Sequence, residues 1–201
     1  MKKHLFLLIY SFFLTVFAFG DDEQIKRFVA NEENLTGVAL WEDNAAIEKR
    51  FGVKFKRYCD PIKDGDCDHH PLTACIETDG YYIVFISYLQ SNFETVDGIR
   101  FQRSRPKKEC VKSSIREIKT TMIGKPRTEI FNIFGKASYE GIYENGYLYD
   151  TKSVIEWSKR YKIDIIKWES VDLEIKNDRV VAYGIFKGGE PSPDSYIKKD
   201  K

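Results

Sequence analysis

The cysteines of this chain lie close together and restrict how its first half can fold. There are four of them, Cys59, Cys67, Cys75 and Cys110. In an oxidising compartment an even number of cysteines indicates disulfide bonds, and two bonds allow three connectivities. Cys59 and Cys75 flank one predicted hairpin and would meet across its strands. We therefore predict the pairs Cys59–Cys75 and Cys67–Cys110, the second of which would tie the hairpin loop to a later segment.

The N-terminus indicates that the chain enters such a compartment. A basic start precedes an apolar run over residues 5–19, and Ala18 and Gly20 are the small residues that a signal peptidase needs. This order is typical of a secretory signal peptide, and the run is short for a membrane span. We predict that residues 1–20 are a signal peptide, that no stable membrane span remains after cleavage, and that the protein is periplasmic or secreted.

Composition and charge exclude several classes of fold and partner. The chain is 31% charged and 42% hydrophobic, which is ordinary for a globular protein. Its 32 basic and 31 acidic residues give a formal net charge of +1, a balance that does not favour nucleic acid or an anionic membrane as the partner. We therefore interpret the basic stretch 103–112 as a solvated linker between two halves of the chain.

The sequence offers little catalytic or metal-binding chemistry beyond the predicted signal peptide. The two histidines there, His69 and His70, are adjacent and lie in the predicted hairpin loop. No Cys-x-x-Cys pair accompanies them, and an oxidising compartment favours disulfides over thiolate-bound zinc. We predict no metal, no cofactor and no catalytic residues, and keep a hydrolase using His69 or His70 as the less favoured alternative.

The first half has the pattern of two helices followed by strands. Residues 21–29 place apolar side chains on one helical face, and a second helix is predicted from the N-cap Asp43 to Phe51, where Gly52 ends it. Four strands are predicted to follow as an antiparallel meander, at residues 53–56, 72–78, 81–89 and 93–101. This order is typical of an α+β unit.

The second half repeats this order. Predicted helices at 113–121 and 126–134 precede predicted strands at 137–143, 147–150, 170–176 and 179–186, the last two joined by a turn at Asn177 and Asp178. Phe51-Gly52 recurs as Phe134-Gly135, and Gly98-Ile99 recurs as Gly184-Ile185. We therefore predict an α+β fold of two tandem units, 21–102 and 113–187, each a helix-loop-helix plus an antiparallel sheet. A helix at 151–161 would interrupt the second unit, and 188–201 would form a disordered tail.

Several segments of the second half resemble a known superfamily. They are Ile123-Gly124-Lys125-Pro126, Glu129-Ile130, Phe134-Gly135-Lys136, Tyr147-Leu148-Tyr149 and Leu173-Glu174-Ile175-Lys176-Asn177-Asp178-Arg179-Val180-Val181. Together they are similar to the BamE-like and β-lactamase-inhibitor-protein-like superfamily. The resemblance implies an exported protein with two units in tandem and a disulfide-stapled hairpin. The chain departs from that pattern in its insertion at 151–166 and in having no cysteine after Cys110.

Aromatic residues on predicted strands suggest a binding surface. If Val171, Leu173 and Ile175 face the helices, alternation sends Trp168 to the opposite face. The candidate residues for that open side are Trp168, Tyr147, Tyr149, Tyr82 and Tyr88. Exposed tyrosine and tryptophan are favoured at protein-binding surfaces. We predict a protein-binding or inhibitor-like function with another protein as partner, either an exported enzyme or an envelope protein. The alternative is an envelope-assembly accessory protein.

Overall fold

The computed structural model describes residues 20–59, 66–78, 80–113, 120, 122–141, 146–158 and 163–191. The predicted signal peptide lies outside these residues except for Gly20. Most of the helix predicted at 113–121, residues 142–145 at and after the end of the strand predicted at 137–143, and the tail beyond Pro191 also lie outside them.

Three helices occur in the described part of the chain. They are α1 (Gly20–Thr36), α2 (Asn44–Phe51) and α3 (Arg127–Phe134). The prediction for α2 is confirmed, because Asp43 is its extended N-cap and Gly52 ends it at φ 67° with its N–H donating to Glu48 O. α1 continues well past the predicted end at residue 29. It stops where Gly37 adopts φ 65°, a left-handed conformation that glycine accepts without strain.

Within the described residues, ten strands form one sheet. They are β1 (Lys56–Arg57), β2 (Leu72–Thr78), β3 (Tyr81–Ser87), β4 (Gly98–Gln102), β5 (Val111–Lys112), β6 (Tyr139–Glu140), β7 (Gly146–Asp150), β8 (Val154–Ser158), β9 (Ile163–Lys176) and β10 (Arg179–Pro191). The strand order is β1-β2-β3-β4-β10-β9-β7-β6, with β5 parallel to β2 and β8 antiparallel to β9. The other neighbours are antiparallel.

The predicted fold class, two tandem α+β units, is wrong. β4 and β10 pair directly, with Ile99 opposite Ile185, so strands of both halves form one continuous sheet. α1, which was assigned to the first unit, packs instead against β7, β9, β10 and α3 of the second. The described chain is therefore a large, mostly antiparallel sheet with three short helices on one face. Sequence periodicity depends on neighbouring residues, so it predicts individual helices and strands but not which distant strands pair.

The region predicted as an inserted helix contains a strand. β8 runs antiparallel to the first part of β9, with Val154 opposite Lys167 and Trp157 opposite Asp164. The β-branched pair Val154 and Ile155 favours a strand over a helix, and hydrogen bonding to β9 supports that preference. β10 likewise continues past residue 187 to Pro191, into the region where a disordered tail was predicted. It does so because β9 is long enough to pair with it there.

The core lies between the helices and the sheet. Val171, Leu173 and Ile175 point into it, as the alternation of β9 predicts. Tyr183 makes two further contacts in the core. Its ring stacks on Phe101 with 4.6 Å between ring centroids, and its hydroxyl donates to the buried Glu32 carboxylate at 2.6 Å. A buried carboxylate needs such a partner, because leaving it without one costs more than the hydrogen bond contributes.

All four cysteines form disulfides, but the predicted pairing is wrong. The bonds are Cys59–Cys67 and Cys75–Cys110, with Cα–Cα distances of 5.7 and 4.6 Å. Cys75 lies on the sheet face opposite the helices, and β5 runs parallel to β2 immediately after Cys110. This parallel strand pairing brings Cys110 to Cys75, and Cys67 bonds with Cys59, eight residues earlier in the sequence.

Candidate protein-binding face

The sheet face opposite the helices carries the candidate site. We call it the open face; its central residues are Tyr82, Val84 and Ile86 on β3, Tyr88 just after β3, Arg100 on β4, Phe186 on β10, and Trp168, Asp172 and Glu174 on β9. The three helices of the described chain all contribute to the core on the other side. Alternation along each strand separates the two sets of side chains.

Two aromatic rings lie flat on this face because glycines lie beneath them. A Cβ added at Gly98 would stand 2.3 Å from Phe186 Cδ1, and one at Gly184 would stand 2.6 Å from Phe186 Cε2. A Cβ at Gly188 would stand 2.0 Å from Trp168 Cε2. Glycine within a strand often marks such a close approach. The glycines therefore let Phe186 and Trp168 lie across β10 rather than stand up from it.

A charged cluster lies next to these rings. The Arg100 guanidinium donates to Asp172 Oδ2 at 3.0 Å and to Glu174 Oε2 at 2.8 Å. Arg100 pairs with Gly184 on β10, and Gly184 pairs with Asp172 on β9, so the guanidinium spans β10 at a position that has no side chain of its own and is covered by the Phe186 ring. Burial raises the pKa of Asp172 above its ordinary value, and the neighbouring Arg100 offsets only part of that effect.

Replacing Asp172 by asparagine is expected to remove part of the pH dependence of stability. Because the folded-state pKa of Asp172 is raised, the folded protein holds this proton more tightly than the unfolded chain does. The stability from that proton is present below the unfolded pKa and is lost as pH rises through the folded pKa. Urea unfolding of both proteins from about pH 3.5 to about pH 7 tests this. The unfolding free energy of Asp172→Asn, measured relative to that of the wild type, should increase as pH rises. A difference that stays constant with pH would contradict the prediction.

The segment 103–112 borders the open face on the β2 side. The Cys75–Cys110 disulfide anchors it there, and Lys108 Nζ donates to Thr73 Oγ1 at 2.9 Å. The ammonium of Lys108 also lies 5.5 Å from the Tyr58 ring centroid, and burial lowers the pKa of Lys108 to about 8. A basic recess of about 510 Å³ lies there, lined by Lys56, Tyr58, Arg105, Pro106, Lys107, Lys108 and Glu109. The segment is therefore held against the sheet by a covalent bond and a hydrogen bond, unlike a freely solvated linker.

The structure separates the five predicted binding residues into two groups. Tyr82, Tyr88 and Trp168 lie on the open face, as predicted. Tyr147 and Tyr149 do not, because they pair with Leu173 and Val171 and therefore point to the core side. Tyr149 is only 2% exposed, and its ring centroid lies 5.1 Å from that of Phe134. Alternation within β7 shows that the two tyrosines share a face, but only the register with β9 shows which face.

Alternation along β9 already places Asp172 and Glu174 on the face of Trp168, but sequence reasoning missed their partner Arg100 and also missed Phe186. A usable signal was present in the glycines at 98, 184 and 188, since a glycine inside a strand pattern suggests that a large side chain lies over it. The partner of each glycine lies on another strand or two residues away. Identifying it therefore requires the strand register.

The histidines lie apart from the open-face cluster, in a short 3-10 turn at Cys67–His69 and just after it. His69 Nε2 lies 3.4 Å from Asp66 Oδ2, and the side chains of both residues are largely exposed. Among the described residues, no cluster of three or more histidine, cysteine, aspartate or glutamate side chains is placed to hold a metal ion. The helices described here include none with the length and apolar character needed to cross a bilayer.

Comparison with known proteins shows no match to a family model, a curated protein or a solved structure.

Proposed function

We propose that this chain is an exported, inhibitor-like protein that binds another protein through its open face. The observation that carries the proposal is that Trp168, Phe186, Tyr82 and Tyr88 share with Arg100 the sheet face that lies opposite the helices. Aromatic and arginine side chains dominate the energetics of protein-binding surfaces. A rigid antiparallel sheet holds them in place before binding, which lowers the entropic cost of association.

Two observations support export and the inhibitor class. The disulfides Cys59–Cys67 and Cys75–Cys110 are compatible with an oxidising compartment, where the N-terminal pattern would deliver the chain. The inhibitor class comes from the sequence resemblance to the β-lactamase-inhibitor-protein-like superfamily, which stays a prediction. The binding proposal stands on the open face and does not need the resemblance.

The charges of the open face favour a basic partner surface. Besides Asp172 and Glu174, alternation places Asp150 and Asp164 on this face, while Lys176 on the same face pairs with Glu174 at 2.8 Å. Arg100 is already engaged by Asp172 and Glu174, and its side chain is only 25% exposed. Complementary potentials speed association and select partners. We therefore expect the partner to present a loop with lysine or arginine next to an apolar side chain.

The Trp168→Ala variant is expected to weaken partner binding by about 2 kcal/mol or more, because the indole would be buried against the partner. The partner would be captured from the envelope fraction of the source organism with the intact protein as bait. Isothermal titration calorimetry would then compare affinities. Phe131→Ala is a matched control, since Phe131 is a half-buried aromatic residue on α3, on the other side of the sheet.

Stability measurements separate a binding defect from a folding defect. The Trp168 side chain is half-buried over Gly188 and outside the main core, so Trp168→Ala should stay folded and lose only about 1–2 kcal/mol of unfolding free energy, as expected for the half-buried Phe131. A variant that binds with unchanged affinity would refute the proposed site. A variant that fails to fold would show that Trp168 is a structural residue and would also count against it.

A further inference from the structure

The basic recess beside β2 holds more positive than negative charge. Its lining has one carboxylate, that of Glu109, which lies 3.2 Å from Lys56 Nζ and offsets that lysine. The other cationic side chains that line it are Arg105, Lys107 and Lys108. No carboxylate in the described part of the chain lies within ion-pair distance of these three. The recess therefore carries three positive charges to which the described residues supply no counter-ion.

Lys108 is the half-buried member of this group, whereas Arg105 and Lys107 are exposed. Its ammonium has three N–H donors, and one of them reaches Thr73 Oγ1 at 2.9 Å. Its pKa is lowered to about 8 by burial, with no opposing effect from a nearby negative charge. An anion placed against Lys108 would compensate for the hydration that the ammonium has lost.

The fold assembles the recess before any ligand arrives. The Cys75–Cys110 disulfide fixes the 103–112 segment against β2, and Lys56 lies opposite Thr73 in the register of β1 with β2. Lys56 and Thr73 therefore point to the same side of the sheet, which is also the side of Cys75. Groups that are held together in this way lose less conformational freedom on binding than those of a flexible loop.

We propose that the basic recess binds the dianion of a phosphate group. Three cations without a counter-ion match a double negative charge better than the single charge of a carboxylate. The Arg105 guanidinium is able to donate two parallel N–H bonds to phosphate oxygens, and lysine ammonium groups bind phosphate as point charges. The whole chain carries a formal net charge of only +1. The attraction is therefore local, and it suits a small ligand rather than a long polyanion.

The side chains around the recess also indicate which form of phosphate fits. The Tyr58 side chain, 39% exposed, and Pro106 give the recess an apolar wall. This wall favours a phosphate monoester with an apolar or aromatic body over free inorganic phosphate. The site does not depend on the proposed function, because it is built from β1, the residues just after it and the 103–112 segment. The central open-face residues lie instead on β3, β4, β9 and β10.

Isothermal titration calorimetry of the purified, disulfide-intact protein tests the site with inorganic phosphate and with phenyl phosphate, at a constant ionic strength of about 0.15 M. Both should bind with a Kd of about 1 mM or below, phenyl phosphate more tightly. Lys108→Gln and Arg105→Gln should each weaken binding by about tenfold, because each removes a charge-assisted hydrogen bond. Lys112→Gln, on β5 and outside the recess, removes the same charge and should change the affinity by less than about twofold.

Proton uptake tests whether Lys108 itself contacts the anion. Inorganic sulfate is the probe, because it stays doubly charged over the pH range used. At about pH 8 its binding should take up as much as about half a proton, since a bound dianion raises the pKa of Lys108. The uptake should disappear at about pH 6, where Lys108 is already charged, and in Lys108→Gln. Calorimetry in two buffers of different ionisation enthalpy measures it. The other titratable side chains that face the recess are Lys56, Tyr58, Arg105, Lys107 and Glu109.

Each result supports or overturns the proposal. Absence of binding up to about 10 mM of either phosphate ligand would overturn it. Equal weakening by Lys112→Gln and Lys108→Gln would overturn it too, because the attraction would then belong to the general charge of the surface. Equal affinities for the two ligands would support the site with free phosphate as its ligand. Because Arg105 is exposed, Arg105→Gln should fold normally and decides the question if circular dichroism shows that Lys108→Gln is unfolded.

Discussion

Replacing Phe134 by alanine is expected to lower the free energy of unfolding by about 3–5 kcal/mol. Phe134 is fully buried at the end of α3. Its ring centroid lies 5.3 Å from that of Phe28 on α1 and 5.1 Å from that of Tyr149 on β7. The truncation would leave a cavity between three elements that are distant in sequence, where the backbone has little freedom to collapse.

Urea unfolding of the disulfide-intact protein, followed by near-ultraviolet circular dichroism, measures this effect. Phe131→Ala removes the same ring from the same helix. Because Phe131 is only half-buried, its loss should cost about 1–2 kcal/mol. Equal effects of the two substitutions would contradict the position of α3 over the sheet, since that position is what buries Phe134 and leaves Phe131 near the surface.

Removing the Cys75–Cys110 disulfide with the double variant Cys75→Ala/Cys110→Ala is expected to cost about 4 kcal/mol. The bond joins residues 35 apart in sequence, and in the chain-entropy model a longer closed loop restricts the unfolded chain more. The Cys59→Ala/Cys67→Ala variant opens a loop of only 8 residues and should cost about 2.5 kcal/mol. Denaturant unfolding of the two double variants tests which of them loses more unfolding free energy.

The long-loop bond has a second role that strengthens this expectation. It holds the 103–112 segment against β2 and positions Lys108 beside Thr73. Non-reducing peptide mapping should recover Cys75 linked to Cys110 and Cys59 linked to Cys67. Recovery of Cys59 linked to Cys75 would refute the connectivity, and a smaller loss for the long-loop variant than for the short-loop one would contradict the entropic argument.

Local chemistry in the sequence was sufficient for several elements. Asp43 and Gly52 predicted the bounds of α2 because such end signals involve only neighbouring residues; Gly52 ends the helix in the left-handed conformation, and Asp43 is its N-cap without a side-chain capping bond. The strand predicted at residues 72–78 has the bounds observed for β2. Alternation along β9 correctly sent Val171 inward, because a strand alternates with a period of two regardless of its partners.

Other features were decided only when the strands paired. The side of the sheet occupied by Tyr149 depends on its register with Val171, and the bond partner of Cys75 depends on where β5 joins β2. The same holds for Arg100, which reaches Asp172 because the strand register aligns both residues with Gly184 on the strand between them. Each of these contacts joins residues far apart in sequence, and it is the pairing of β4 with β10 that brings the two halves together.

Composition, capping and periodicity act over a few residues, so they determined most elements of this protein. The tertiary structure determined which faces those elements share, and therefore where the candidate binding site lies.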